Sequence, residues 1–278
     1  MSAEVREGTF PGGLPFLTVG NGTPLVYLCG STPDHRHPRR GLERGITLRT
    51  IRPLAAAGFA VYFTNRWPGM AVDVSFADVA ARHADAILGH FGGPVDVLGH
   101  STGGSLLLQL LADRPEVVRR AVVASAAYAL GPVAKRSQLE QLQALRDTGR
   151  FSGAALADGM EGMVASRLVR AALTPLAHLA ARCIPVPNPT DAIAMLRAED
   201  AFDVRDRLPQ MRTPTLVIAG ARDGYWTLDM FAETAYRMPY GRLILYRNRG
   251  HALTLAPEFF RDVTAFLREG EGPGARDG

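Results

Sequence analysis

A serine at position 101 stands between two glycines, in Gly99-His100-Ser101-Thr102-Gly103. This G-x-S-x-G spacing is the pattern of a nucleophile elbow, where a serine sits on a sharp turn between a strand and a helix. The flanks agree with it. Pro94 to Leu98 is a mainly apolar, strand-like run, and Gly103 to Leu111 passes from small residues into a helical pattern. Such a turn holds the serine in a strained backbone conformation, and only small neighbours let strand and helix approach so closely. The serine oxygen then lies at a helix N-terminus, where backbone N–H groups can stabilise a developing oxyanion. The chemistry in view is nucleophilic catalysis. A chance pentapeptide in a glycine-rich chain does not account for both flanks.

A serine alone is a weak nucleophile and needs a base, and the base needs an orienting acid. The chain offers both, in the order Ser, Asp, His. Thr215 to Ala219 is a β-branched, apolar strand pattern that ends in Gly220-Ala221-Arg222-Asp223-Gly224. An aspartate there can project its carboxylate over a sheet edge. Leu243 to Tyr246 is a further strand, followed by Asn248-Arg249-Gly250-His251-Ala252, and His251 can swing its ring over the same edge.

With these residues the sequence resembles the α/β-hydrolase fold superfamily, over about residues 22 to 268. The match is carried by the elbow at 99–103, by Asp223 in Gly-Ala-Arg-Asp, and by His251 in Gly-His. The resemblance implies Ser101 as nucleophile, His251 as general base and acid, and Asp223 as the orienting carboxylate. It also implies two backbone donors for the oxyanion: Thr102, and a residue of the loop after an early strand. That strand is Pro24 to Leu28, followed by Cys29-Gly30-Ser31-Thr32. The usual His-Gly is Cys29-Gly30 here. The donor is a backbone N–H, so the change does not remove it, and Ser31 is the expected second donor, with Thr32 the alternative. Cys29 reads as a small buried residue.

Rival acids are weaker. Asp200 and Asp203 precede the strand instead of following it. Asp229 fits the first turn of the next helix, where a carboxylate is favourable for dipole reasons alone. Asp96 lies within the strand before the elbow and receives no catalytic role. His100 points away from the catalytic face in this motif and reads as a packing or hydrogen-bonding residue.

These groups need a scaffold, and the sequence supplies alternating elements. An N-terminal hairpin is predicted around Pro11-Gly12-Gly13, a helix over 47–57, a strand over 59–64, a helix over 76–91 and a strand over 117–125. Strands alternating with helices indicate an α/β fold: a mostly parallel eight-stranded sheet with helices on both faces. The alternation breaks between about 131 and 200, where helical patterns run over 135–147, 152–163, 166–181 and, capped by Thr190-Asp191, 190–199. This matches the helical cap of the superfamily. The division is therefore a core of 1–130 and 201–268, a cap of 131–200, and a disordered tail of 269–278. Trp67, on a loop at the sheet's carboxyl edge, and Thr32 are candidate pocket residues, with Met160 and Met163 in the cap, since methionines suit an adaptable apolar surface.

Composition sets outer limits. The chain has 278 residues, 47% hydrophobic and 21% charged, with a net charge of +4, and 30 of its 31 basic residues are arginines. The cluster His35-Arg36-His37-Pro38-Arg39-Arg40, with Arg44, Arg49 and Arg52, reads as a solvated helix face with surface ion pairs; no nucleic-acid motif accompanies it. His35-x-His37 is too short a metal signal, so no metal is assigned. Neither G-K-[ST] nor G-x-G-x-x-G is present, and no cofactor is implied. Two cysteines make no disulfide framework, the first residues resemble no secretory leader, and no apolar run reaches membrane-spanning length. A cytoplasmic enzyme with a small-molecule substrate, without nucleic-acid or membrane partners, is expected. A serine at the elbow, where related dehalogenases and epoxide hydrolases carry aspartate, favours hydrolysis of an ester, lactone or thioester. A carbon–carbon bond hydrolase, an aminopeptidase-like enzyme and a ligand-binding receptor on the same scaffold are the alternatives.

Overall fold

The computed structural model describes residues 4–36, 41–153, 175–176, 179–181, 183–184 and 186–269. Its strands are β1 (Val5–Thr9), β2 (Pro15–Val19), β3 (Thr23–Leu28), β4 (Phe59–Thr64), β5 (Val95–His100), β6 (Val118–Ala124), β7 (Thr215–Gly220) and β8 (Gly241–Tyr246). They form one eight-stranded sheet in the order β1-β2-β4-β3-β5-β6-β7-β8. β1 and β2 form the expected hairpin, and β2 runs antiparallel to β4. Every other neighbouring pair is parallel.

Side-chain alternation along the strands makes two apolar faces. Val26, Leu28, Val97, Val123 and Val217 point into one core, covered by α2 (Phe76–Phe91), α3 (Thr102–Asp113) and the helix Leu228–Arg237. Leu25, Tyr27, Leu98, Val122 and Ile218 point into the other, under α1 (Gly41–Ala56) and the helix Pro257–Leu267. The chain passes from β3 out to β4 and returns across β3 to β5. The order reverses there, and in open α/β sheets the crevice beyond the carboxyl ends at such a reversal is where ligands bind. The loop after β3 and the elbow after β5 meet at that point.

α1 begins at Gly41, six residues before the predicted start at 47. Between β6 and β7 lie α4 (Pro132–Thr148) and α5 (Pro189–Asp200), which pack on each other through Leu142, Leu145, Ala192 and Leu196. The insertion enters and leaves at one neck. Ala129 and Asp203 form an antiparallel bridge, and Val204 N donates to the Tyr128 carbonyl at 2.9 Å. The helices predicted over 152–163 and 166–181 fall largely outside the described residues, as do Met160 and Met163. Thr190-Asp191 is not a cap. Pro189 opens α5, and the Asp191 carboxylate turns away to accept the backbone N–H groups of Gly69 (3.0 Å) and Met70 (2.8 Å). Those two amides belong to the loop after β4, so Asp191 fastens the insertion to the sheet's carboxyl edge. No helix among the described residues is long and apolar enough to cross a membrane.

Candidate active site

The elbow is built by close backbone approach. A Cβ at Gly99 would fall on the Gly103 carbonyl, and one at Gly103 on the Leu28 carbonyl, so neither position admits a side chain. Ser101 has φ 55° and ψ −125°, a left-handed backbone that serine rarely adopts. Its N–H is held by the Ala124 carbonyl at 2.9 Å. Gly104 and Ser105 N–H return to the Ser101 carbonyl at 2.7 and 3.0 Å, and Thr102 N–H lies ahead of those bonds at the start of α3.

Three residues separated by 122 and 28 positions meet above this turn. Ser101 Oγ lies 3.0 Å from His251 Nε2, and His251 Nδ1 lies 3.0 Å from Asp223 Oδ2. A carboxylate only accepts, so Nδ1 carries the proton and Nε2 is left to accept from the serine hydroxyl. The Asp223 side chain is almost wholly buried, and its other oxygen accepts the N–H groups of Tyr225 (2.9 Å) and Trp226 (3.3 Å). The three rivals lie elsewhere. Asp203 accepts Arg205 N–H, Asp200 faces Lys135, and Asp229 occupies the first turn of α6 (Leu228–Arg237). Asp96 is buried in an ion pair with Arg119.

The ring of His251 is held from several sides. The Trp226 indole stacks on it, with centroids 5.6 Å apart and planes 9° from parallel, while its own Nε1 donates to the Ala129 carbonyl at 2.8 Å. Tyr225 meets the ring edge-on at 4.8 Å. The His251 carbonyl accepts from Ser125 Oγ at 2.9 Å and from His100 Nε2 at 3.2 Å. His100 is thus a hydrogen-bonding residue as expected, with its ring centroid 5.4 Å from that of His251. Ser125 has a positive φ of 50° at the end of β6, a strained position that sequence reading passed over.

The loop after β3 lies against the elbow. A Cβ on Gly30 would stand 3.3 Å from Ser101 Cβ. Arg66, fully buried behind this loop, donates to the carbonyls of Cys29 (3.0 Å) and Gly30 (2.9 Å). A trans peptide points its C=O and N–H in opposite directions, so fixing the Gly30 carbonyl toward Arg66 aims Ser31 N–H away from it. Cys29 is buried, as expected, and burial pushes its thiol up. Thr32 serves the loop itself. Its hydroxyl donates to the Asp34 carbonyl at 2.9 Å and accepts from Asn65 at 3.1 Å. Trp67 is buried in the core with Met70 and Phe76, beneath the Arg82 guanidinium, and its carbonyl holds His35 Nδ1 at 3.2 Å. His35 is therefore not on the solvated basic face; Arg49 and Arg52 of α1 are, while Arg36 and Arg44 pair with Asp34 and Glu7. A crevice of about 390 Å³ lies beside the acid loop, lined by Pro132, Val133, Asp223, Tyr225, Trp226 and Leu228 among others. No group of three or more His, Cys, Asp or Glu among the described residues could hold a metal ion.

Sequence reading also missed Glu199. It comes from the last turn of α5, is buried, and accepts the Thr102 hydroxyl at 3.0 Å. Burial pushes its carboxyl up to about 7, against the Ser105 and Thr102 hydroxyls and the charge of Arg66, which pull it down. Burial likewise lowers His35, His83 and His100 to about 4. These groups predict the acid limb of stability. The histidines are neutral in the fold but take up protons once unfolded, so their contribution is lost as pH falls from 6.5 toward 4. Glu199 has the opposite sign, because its contribution is present in acid and lost as pH rises through 7. Near pH 5.5 the three histidines outweigh Glu199 and Glu43, whose carboxyl burial also raises, so stability should fall on acidification. Urea melts between pH 7 and 5 measure this, and His83→Gln should flatten the slope. A stability that rises toward pH 5 contradicts the assignment.

The model of the alpha/beta hydrolase family matches residues 27–263, and the chain belongs to that family. RutD of Stutzerimonas stutzeri, which bears the name carbamate hydrolase, is 28% identical over 166 residues, 57% of this chain and 60% of RutD. The polyketide synthase ThaQ of Burkholderia thailandensis is 31% identical over 285 residues, 97% of this chain and 13% of ThaQ. The chain thus spans less than two thirds of either relative. Among solved structures, the enol-lactonase from Burkholderia xenovorans LB400 superposes with a TM-score of 0.71 at 19% identity, covering 95% of this chain and 100% of that one. That likeness is one of fold.

Proposed function

We propose that this hydrolase cleaves an ester, lactone or thioester of a small or medium apolar substrate through an acyl-enzyme on Ser101. The observation that carries the reading is the pair of 3.0 Å contacts joining Asp223, His251 and Ser101. Ser101 Oγ attacks the acyl carbon while His251 Nε2 takes its proton. Asp223 keeps the ring in the Nδ1–H form and stabilises the imidazolium that results. The oxyanion is received by Thr102 N–H and Ser31 N–H. The intermediate collapses, the C–O or C–S bond breaks, and the leaving group departs with the proton from His251. A water molecule, deprotonated by the same nitrogen, then releases the acid and regenerates the serine.

A fluorophosphonate probe should label the protein once, and peptide mass mapping should place the adduct on Ser101. A panel of p-nitrophenyl esters of increasing chain length should then show turnover with a length preference. An adduct on another serine, or no adduct and no turnover on any ester, overturns the reading.

A further inference from the structure

Thr102 is engaged by both its backbone and its side chain. On the reading above its N–H receives the oxyanion, while its hydroxyl donates to Glu199 Oε2 across 97 positions of sequence. Both side chains are buried, at 5% and 3% exposure. A carboxyl group withdrawn from water is costly unless it is hydrogen-bonded. α5 carries Asp191, Ala194, Met195, Ala198 and Glu199 on one buried stripe, the i, i+3, i+4, i+7, i+8 pattern of a helix face. Its two carboxylates grip different parts of the site. Asp191 holds the loop after β4, and Glu199, about 12 Å further along the axis, holds the first residue of α3.

The grip on Thr102 matters because of what precedes it. The Ser101 backbone is strained, and strained conformations persist only where the surroundings fix them. Threonine is stiff at χ1, so anchoring its hydroxyl also anchors its Cα and the direction of its N–H. We propose that Glu199 is a positioning residue for acylation: it ties the helical insertion to Thr102, so that the oxyanion donor is aimed only while the last turn of α5 is held at the first residue of α3. This rests on the hydrolase reading given above. Seating of the insertion and assembly of the oxyanion site are then one event.

The test compares Glu199→Leu, Glu199→Gln, Thr102→Val and the Leu/Val double variant, with turnover expressed per fluorophosphonate-labelled site so that unfolded protein does not count. Labelling of wild type at Ser101 with ester turnover comes first; its failure removes the hydrolase reading itself. Given that, Glu199→Leu should lower kcat about 10- to 100-fold, as a donor misplaced by a fraction of an ångström to an ångström does. KM should move less than about threefold, because an interaction made only in the transition state is lost. Thr102→Val, which keeps its N–H, should lose a similar factor, and the double variant should lose no more than either single one. Glu199→Gln keeps an acceptor oxygen for the Thr102 hydroxyl and should stay within about threefold of wild type. Wild-type turnover in Glu199→Leu, multiplicative losses in the double variant, or Glu199→Gln as slow as Glu199→Leu overturns the proposal. Should the leucine variant fail to fold, Thr102→Val at wild-type turnover does so.

Discussion

Ser101→Ala is expected to abolish fluorophosphonate labelling and to lower ester turnover by at least about 10³-fold, because the three groups act as a unit and the survivors supply little alone. Alanine keeps the Cβ, so the strain at φ 55° and the backbone contacts of the elbow are unchanged. Only Oγ is lost, and with it the 3.0 Å contact to His251 Nε2. Folding should therefore be preserved, with a melting temperature at or slightly above that of wild type. The informative contrast is Ser101→Gly. Glycine adopts a positive φ without the Cβ penalty, so this variant should be equally inactive but more stable than alanine at the same position. Activity within tenfold of wild type in Ser101→Ala would remove Ser101 from the mechanism.

The elbow and its partners were legible in the sequence because each rests on local backbone chemistry. Gly99 and Gly103 are required by an approach of strand to helix that is only a few residues long. Asp223 and His251 each follow a short strand pattern closed by a turn, and the sheet brings the two loops together because β7 and β8 are neighbours. The sheet, its hairpin and the insertion were legible for the same reason, through periodicity. The supporting groups were not. Arg66 reaches back 36 and 37 positions to Gly30 and Cys29, Ser125 reaches 126 positions to His251, and Glu199 reaches 97 to Thr102. Such residues are polar, and in isolation a polar residue reads as surface. One signal was available: the carboxylates Asp191 and Glu199 terminate the apolar stripe of α5, a placement that wastes buried area unless both have partners. His35 shows the opposite failure. Its arginine-rich surroundings read as solvent-exposed, yet the turn after β3 carries it under Trp67.

Asp223→Asn isolates tautomer control from folding. One carboxylate oxygen accepts the N–H groups of Tyr225 and Trp226 and shapes the acid loop; the other accepts His251 Nδ1–H. Asparagine has a single acceptor oxygen. If that oxygen keeps the two backbone donors, its NH₂ group faces His251 Nδ1, which must then be the acceptor. The ring proton moves to Nε2, where it blocks the serine hydroxyl from donating. The loop survives and the base is disabled. A loss of about 10³–10⁴-fold in kcat is expected, the size of effect a wrong tautomer produces in serine hydrolysis generally. The melting temperature should change by only a few degrees, since the backbone contacts and the Trp226 stack on His251 remain. Glutamate is the discriminating control. It restores an acidic acceptor at a shifted position and should recover part of the lost rate, whereas asparagine should not. Asparagine within tenfold of wild type would show that another group orients His251.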